Sequence, residues 1–431
     1  MPFSTLGLSP VICTPLSRIG YTHPTPVQAK CIPVVIAGSD LMARAQTGTG
    51  KTAAFGLPMI DRLLVRDRRT ARPSRPRGLV LVPTRELAIQ VQSSLAGYGT
   101  TVNVRAVAVF GGVPMGAQVA ALRQGVDIVV ATPGRLIDHM QRRTIDLSAI
   151  EILTLDEADR MLDMGFLPPL RRVLAAVPRR RQTLLLSATF STEIVALSSE
   201  FTHAPVRVDV SEAQVVAPTI THSVCPVNDG RKEELLRHVL TAEPMGQALV
   251  FCRTKRGANR VGLGLERSGV LSAVIHGNKS QSARNRALRD FKAGRVTVLV
   301  ATDLAARGLD IAQLPLVVNF DLPLVPQDYV HRVGRTGRAG LTGRAISLVS
   351  PTERGQLRDI QGLLPTPFEQ VIVTGFELSD APRSAGASMR HGQRHGRGLV
   401  RLQRNGARPH ASAGNRRRTS ERVRNPVLRR G

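Results

Sequence analysis

Short β-branched and aliphatic runs recur along the chain, each followed by a turn and then by apolar positions at helical spacing. In the first half they fall at 78–83, 126–131, 150–155 and 183–186. This strand–turn–helix rhythm is that of parallel α/β folds, in which crossover helices cover both faces of a sheet. From Asp209 the sequence DVSEAQVVAPTITHSV is polar and poor in helical spacing, and the rhythm then resumes at 248–251, 271–275, 296–301, 317–320 and 345–349. The pattern predicts an α/β domain over 1–208, a linker over 209–219 and a second α/β domain over 220–378. Apolar periodicity stops beyond that point, so 379–431 is expected to be an Arg-rich tail, disordered when free.

Composition sharpens this picture. A chain of 431 residues with 42% hydrophobic content can bury more than one core, which excludes a wholly disordered protein. Lys and Arg number 59 against 32 Asp and Glu, a formal charge of +27 that points to a phosphate-rich partner, nucleic acid first. All but six of these cations are arginines, which keep their charge and grip phosphate with two nitrogens. Residues 381–431 hold 14 arginines and one acid, Glu421, so the rest of the chain still carries +14. A second basic stretch, RDRRTARPSRPR at 66–77, reads as a solvated loop. Cys13, Cys31, Cys225 and Cys252 have no metal-ligand spacing and read as buried thiols. No apolar run reaches the roughly 18 residues of a membrane span, so a soluble cytoplasmic protein with no membrane partner is expected. Aromatic residues make up only 3%, which argues against base stacking and for a grip on the backbone.

Candidate chemistry begins at 40–55, DLMARAQTGTGKTAAF, where a strand, a Gly-rich turn and a helix follow one another. In that order Gly48 and Gly50 let backbone amides turn inward, Lys51 reaches the β and γ phosphates, and Thr52 offers a hydroxyl to Mg²⁺. Ala45 stands where the strict pattern has Gly. Further on, IEILTLDEADRM at 150–161 runs a buried strand into acid, so Asp156 and Glu157 fall at the carboxyl edge where open α/β sheets bind ligands. Asp156 suits Mg²⁺ through its water shell, and Glu157 suits the water that attacks the γ-phosphate. An acidic strand end by itself is usually a helix cap; paired with the phosphate loop upstream, it favours nucleotide hydrolysis. The second half has HRVGRTGR at 331–338, whose arginines at 332, 335 and 338 suit charge developing on a phosphoryl group bound elsewhere, or an RNA backbone.

Taken in order, AQTGTGKT, PTRELA at 83–88, TPGR at 132–135, DEAD at 156–159, SAT at 187–189, ATDLAARGLD at 301–310 and HRVGRTGR resemble the motifs of DEAD-box ATP-dependent RNA helicases. The resemblance covers residues 3–375, and GANRVG, HGNKSQSARNRAL and the basic tail are most similar to the bacterial RhlE-like branch. It implies two RecA-like parallel-sheet domains in tandem that close around ATP and one RNA strand. GYTHPTPVQ at 20–28 is similar to the family's adenine-reading motif, implying Gln28 on the base edge, Phe3 as the stacking aromatic, and Tyr21 and Thr25 beside them. A structural alternative is that Gln28 only caps the helix that starts at Pro26.

The same resemblance implies nucleotide contacts from Gln46, Thr47, Gly48, Thr49, Gly50, Lys51, Thr52, Asp156 and Asp310. Arg335 and Arg338 become catalytic with Lys51 and Glu157. RNA contacts are implied for Arg85, Gly111, Gly112, Thr132 and Arg135 in the first domain and for Arg253, Gly277, Gln281, Arg284 and Thr302 in the second. Asp159, Ser187, Thr189 and His331 would couple the domains. The implied activity is local unwinding of short duplexes or remodelling of RNA–protein complexes, with hydrolysis releasing the strand. An ATP-gated RNA clamp or scaffold is the alternative, and a DNA-translocating helicase fits the motifs less well. The RhlE-like branch implies partners in ribosome assembly or RNA decay.

Overall fold

The structure, a computed structural model, describes residues 2–46, 48–64, 75–210, 219–242, 246–306, 309, 311, 313–337, 342–364 and 366–378. Thr47, Asp310, Arg338, most of the basic stretch at 66–77, most of the expected linker and the whole of 379–431 therefore lie outside the described residues.

Two parallel sheets follow one another along the chain. The first comprises β1 Leu41–Arg44, β2 Gly78–Leu81, β3 Ala106–Val109, β4 Ile128–Ala131, β5 Ile152–Leu155, β6 Gln182–Ser187 and β7 Val206–Asp209, in the order β3-β4-β2-β5-β6-β1-β7. The second comprises β8 Ile220–Pro226, β9 Ala248–Phe251, β10 Ser272–Ile275, β11 Val298–Ala301, β12 Leu316–Asn319, β13 Gly343–Val349 and β14 Glu369–Gln370, in the order β10-β11-β9-β12-β13-β8-β14. Strand for strand, this is the order of the first sheet.

The inner strands are buried on both faces, which is why they read as unbroken apolar runs: β2, β4, β5 and β6 have no exposed residue. Successive side chains feed opposite cores. Leu41 and Ala43 of β1 join Phe55, Leu57 and Leu95 on one face, while Met42 joins Leu136, Met161 and Leu170 on the other. In β9, Val250 packs with Leu235 and Leu265, and Leu249 and Phe251 pack with Phe291 and Leu309. Each sheet is thus the middle layer of a three-layer α/β/α sandwich.

Four strands escaped the hydrophobic pattern, among them the two-residue edge strand β14. β3 and β7 are sheet edges with mixed exposure. β8 lies inside the stretch that reads as polar, and it is inner: His222 is buried with Nδ1 2.8 Å from the Tyr329 hydroxyl, so a polar side chain enters the core with its hydrogen bond made. Burial also pushes the His222 imidazole down to about 4, so it stays neutral there.

Candidate active site

Because both sheets are parallel, the carboxyl ends of their strands form one edge, and the order of strands sorts what stands there. In the first sheet β5 and β1 deliver nucleotide candidates, with the coupling candidates Ser187 and Thr189 of β6 between them, and β3, β4 and β2 deliver the RNA candidates.

After β1 the chain turns through Gly48 and Gly50, at φ of 88° and 93°, a left-handed region costly for other residues. A side chain on Gly50 would also collide with Gln28 Nε2. The turn is closed by Thr49 Oγ1, which donates to the Gln46 carbonyl at 2.8 Å. The helix Lys51–Leu64 begins directly after it, with Lys51 buried and its Nζ donating to the Ala45 carbonyl at 2.9 Å. Thr52 is half-buried on the first turn of the same helix. Its free amides and dipole make this helix start a seat for anions.

Asp156 follows β5 directly and is 3% exposed. Burial pushes its carboxyl up to about 6; the Lys51 charge opposes that shift and the Glu157 charge adds to it. A buried carboxylate of this kind is short of positive charge, which suits it to a cation. Glu157 sits in the left-handed region at φ 52°, as the residue before the helix Ala158–Asp163. Its Oε2 is buried with no hydrogen bond among the described residues, 3.5 Å from Arg160 Nη1. Asp159 turns to β6 instead: its Oδ2 accepts from the Ala188 amide at 3.0 Å, and the Thr189 amide donates to Ser187 Oγ at 3.3 Å. The acidic motif and SAT are thereby joined by hydrogen bonds.

Gln28 caps the helix and also reaches the phosphate turn. Its Oε1 accepts from the Thr25 amide at 2.9 Å, capping the helix Pro26–Ile36, and its Nε2 donates to the Gly50 carbonyl at 3.2 Å, bracing the phosphate turn. Phe3 is buried, edge-on to Tyr21 with ring centroids 6.1 Å apart, and the Tyr21 hydroxyl meets that of Tyr98 at 2.8 Å.

Among the RNA candidates, the Arg85 guanidinium lies over Gly111 and Gly112, where a side chain on Gly112 (φ 81°) would strike it. Arg135 donates to the Val113 carbonyl at 3.0 and 3.1 Å, and Thr132 opens the helix Pro133–Gln141 that carries it. In the second sheet Arg253 follows β9, Gly277, Gln281 and Arg284 follow β10, and Thr302 follows β11: the three strands β10, β11 and β9 are neighbours, as β3, β4 and β2 are. Gln281 and Arg284 are engaged with the first half of the chain. Gln281 Nε2 donates to Glu86 Oε1 at 2.8 Å and Arg284 Nη2 lies 3.0 Å from the same oxygen. Glu86, the acid of PTRELA, was missed from the sequence because its partners stand nearly 200 positions away.

The arginines of 331–338 separate into different roles. Arg332 is 2% exposed, holds both oxygens of Asp303, donates to Asn319 Oδ1 at 3.0 Å and lies over the Phe251 ring. It ties its own domain together and is not offered to a phosphate. Arg335 is buried, with Nη1 donating to the Leu309 carbonyl at 2.9 Å, and His331 Nδ1 lies 3.6 Å from Asp328.

A glycine-turned phosphate loop with acid at a neighbouring strand end, followed by a second sheet of the same order without such a loop, defines a nucleotide-binding protein of tandem α/β domains. The profile of the DEAD/DEAH box helicase family matches residues 25–197, and that of the helicase conserved C-terminal domain matches 231–340. The ATP-dependent RNA helicase CshA of Listeria monocytogenes is 43% identical over 359 residues, covering 83% of this chain and 68% of the relative. CshA of Geobacillus kaustophilus is 42% identical over 369 residues, covering 86% and 78%. Among solved structures, S. cerevisiae Dbp5 bound to RNA and ADP BeF3 superposes with a TM-score of 0.75 at 29% identity, over 86% of this chain and 95% of that one. The chain belongs to the DEAD-box family of ATP-dependent RNA helicases.

Proposed function

We propose that this protein binds ATP at the first sheet and RNA backbone along β3-β4-β2 and β10-β11-β9, unwinds short duplexes or remodels RNA–protein complexes, and hydrolyses ATP to let the strand go. The observation that supports this reading is that the strand order groups the candidate nucleotide residues at one set of strand ends and the candidate RNA residues at another. Lys51 and the amides of 46–52 hold the phosphates, and Gln28 reads the base with Phe3, Tyr21 and Thr25 around it. Thr52 and Asp156 would hold Mg²⁺, in part through water, and the metal would supply charge neutralisation on the phosphates. Glu157 orients the attacking water, and Arg335 with Arg338 meets the charge that develops on the γ-phosphoryl; Asp310 is assigned to the nucleotide from the second domain. Asp159, Ser187, Thr189 and His331 relay closure. With Gln281 and Arg284 drawn to Glu86, the backbone contacts of the second domain fall first to Arg253, Gly277 and Thr302.

The domain limits 1–208 and 220–378, the cytoplasmic location, partners in ribosome assembly or RNA decay, and a place in the RhlE-like branch belong to the same proposal. The branch rests on GANRVG and HGNKSQSARNRAL, and the relatives above carry the CshA name. No helix among the described residues is long and apolar enough to cross a membrane. The deciding measurement is ATP turnover with RNA or with DNA of the same sequence, alongside release of a short duplex. Stimulation by RNA alone with duplex release is expected. Equal stimulation by DNA would overturn the substrate, and retention of RNA without strand release would favour the clamp.

A further inference from the structure

Since the sheets share one strand order, the strand ends that frame the first pocket have counterparts in the second. Lys51 opens the helix that follows β1, and Lys232 opens the helix Lys232–Ala242 that follows β8. Asp156 stands just beyond β5, and Asp321 just beyond β12. Lys232 is 4% exposed, and its Nζ donates to the Phe320 carbonyl at 2.9 Å and lies 3.9 Å from Asp321 Oδ1. Where the first pocket is shaped for an anion from outside, the second has one of its own: Lys232 Nζ also bonds Glu353 Oε2.

Glu353 comes from the turn after β13 and is 5% exposed. Its Oε2 also accepts from the Ser350 amide at 3.2 Å; its Oε1 accepts from the Leu322 amide at 3.1 Å and from Arg253 Nη2 at 2.9 Å. That same nitrogen donates to the Leu322 carbonyl at 3.3 Å, and the Arg253 amide donates to Asp321 Oδ2 at 2.9 Å. The side-chain hydrogen bonds of Arg253 therefore fall on Nη2, and Nη1 and Nε have none among the described residues. A planar guanidinium fixed by one nitrogen, with its side chain 36% exposed, keeps its other donors aimed in a set direction.

We infer that Glu353 is a positioning residue for RNA binding: its carboxylate, neutralising Lys232 in the counterpart of the phosphate site, holds Arg253 by Nη2 so that a remaining donor, Nη1 or Nε, meets a backbone phosphate. The inference rests on the proposed reading of Arg253 as an RNA contact, and the test separates the two. The full chain is assayed for the concentration of a uridine oligonucleotide that half-saturates ATP turnover. Arg253→Ala raises that concentration roughly tenfold, the scale of one charge-assisted hydrogen bond. Glu353→Gln raises it by a similar factor while the rate at saturating RNA holds, and the double variant is no worse than Arg253→Ala. Arg253→Lys does not rescue, because an ammonium has no second, rigidly placed nitrogen to offer a phosphate while it bonds Glu353. Should Glu353→Gln melt below the assay temperature, Lys232→Met with Glu353→Gln removes both buried charges together and carries the same expectation. A raised requirement in Arg253→Ala beside an unchanged one in Glu353→Gln, or losses that multiply in the double variant, overturns the inference. An unchanged requirement in Arg253→Ala overturns the RNA contact itself, and the positioning role with it.

Discussion

The strand ends of the two sheets occupy the same places and do different work. After β1 the chain passes through two left-handed glycines, so its amides can face inward, and among the described residues Lys51 bonds only a loop carbonyl. After β8 the sequence VNDGRK supplies no left-handed residue, and Lys232 meets a carboxylate from its own domain. Topology sets where a lysine and an acid meet at a sheet edge. The intervening loop decides whether the anion between them is a ligand or a side chain. One lobe thus keeps a binding pocket, with a buried acid held away from its ordinary ionisation, and the other uses the same plan as a brace.

The largest effect that tests this contrast comes from the two lysines. Lys51→Ala should lower ATP turnover by roughly 10³-fold or more, to the floor of the assay, because it removes the charge proposed to meet the β and γ phosphates. Lys232→Met should leave turnover close to normal below its melting temperature and lower stability by about 3 kcal/mol, the cost of stranding a buried carboxylate. Turnover measured beside thermal unfolding checks both. Equal loss of ATP binding in the two variants would break the contrast.

Next in size is Arg335→Ala, for which the rate at saturating ATP should fall by about 10³ with little change in ATP affinity, since a finger acts on charge that develops in the transition state. If the second lobe supplied ground-state binding instead, titration with a non-hydrolysed analogue would show the loss there. Arg332→Ala is the control within the same motif: with Asp303 left unpaired, its first symptom should be a lower melting temperature.

How far this was legible beforehand follows from distance along the chain. The phosphate loop could be read because strand, turn and helix are contiguous, and the inner strands because burial on both faces makes them uniformly apolar. Glu353 and Glu86 could not be, since their partners Lys232 and Gln281 stand 121 and 195 positions away and an acid in a turn looks like any solvated one. The three arginines of 331–338 look alike at a spacing of three. Only packing shows that the first is turned inward to Asp303, an acid on the helix after β11. β8 was passed over because its His and Ser read as polar until Tyr329 supplies a bond.

A smaller, pH-dependent effect belongs to the open pocket. Burial lifts the Asp156 carboxyl to about 6, so the ionised form that suits a cation is lost as pH falls through that value. The kcat/KM for ATP should be level above about pH 7 and drop roughly tenfold per unit below about pH 6. The stability linkage has the opposite sign to that of a salt-bridged acid. An acid whose pKa is raised on folding costs stability above the folded value, and the cost fades as pH falls toward the unfolded one. Asp156→Asn should therefore stabilise the nucleotide-free protein at pH 8, by up to about 3 kcal/mol, and not at pH 4. Equal unfolding curves at pH 8 would mean that the charge is already balanced.

The smallest effect asks whether the open pocket owes its selectivity to the glycine loop alone or also to the helix before it. Gln28 is 1% exposed, and its amide both closes the cap at Thr25 and holds the Gly50 carbonyl, so its loss acts on the loop as well as on any base beside it. Removal to Ala should cost roughly tenfold in the preference for ATP over GTP, about the worth of one buried hydrogen bond to a base edge. The bracing role predicts a separate loss shared by both nucleotides, because a loosened Gly50 turn presents its amides poorly to any triphosphate. Inhibition by ATP and by GTP, measured in parallel on Gln28→Ala and on Thr25→Ala, divides the two contributions. Thr25→Ala weakens the cap while keeping the Gln28 amide, so it should lower both affinities and change their ratio less than Gln28→Ala does. If Gln28→Ala does no more than that, the residue is a brace only, and the adenine must be read by other groups.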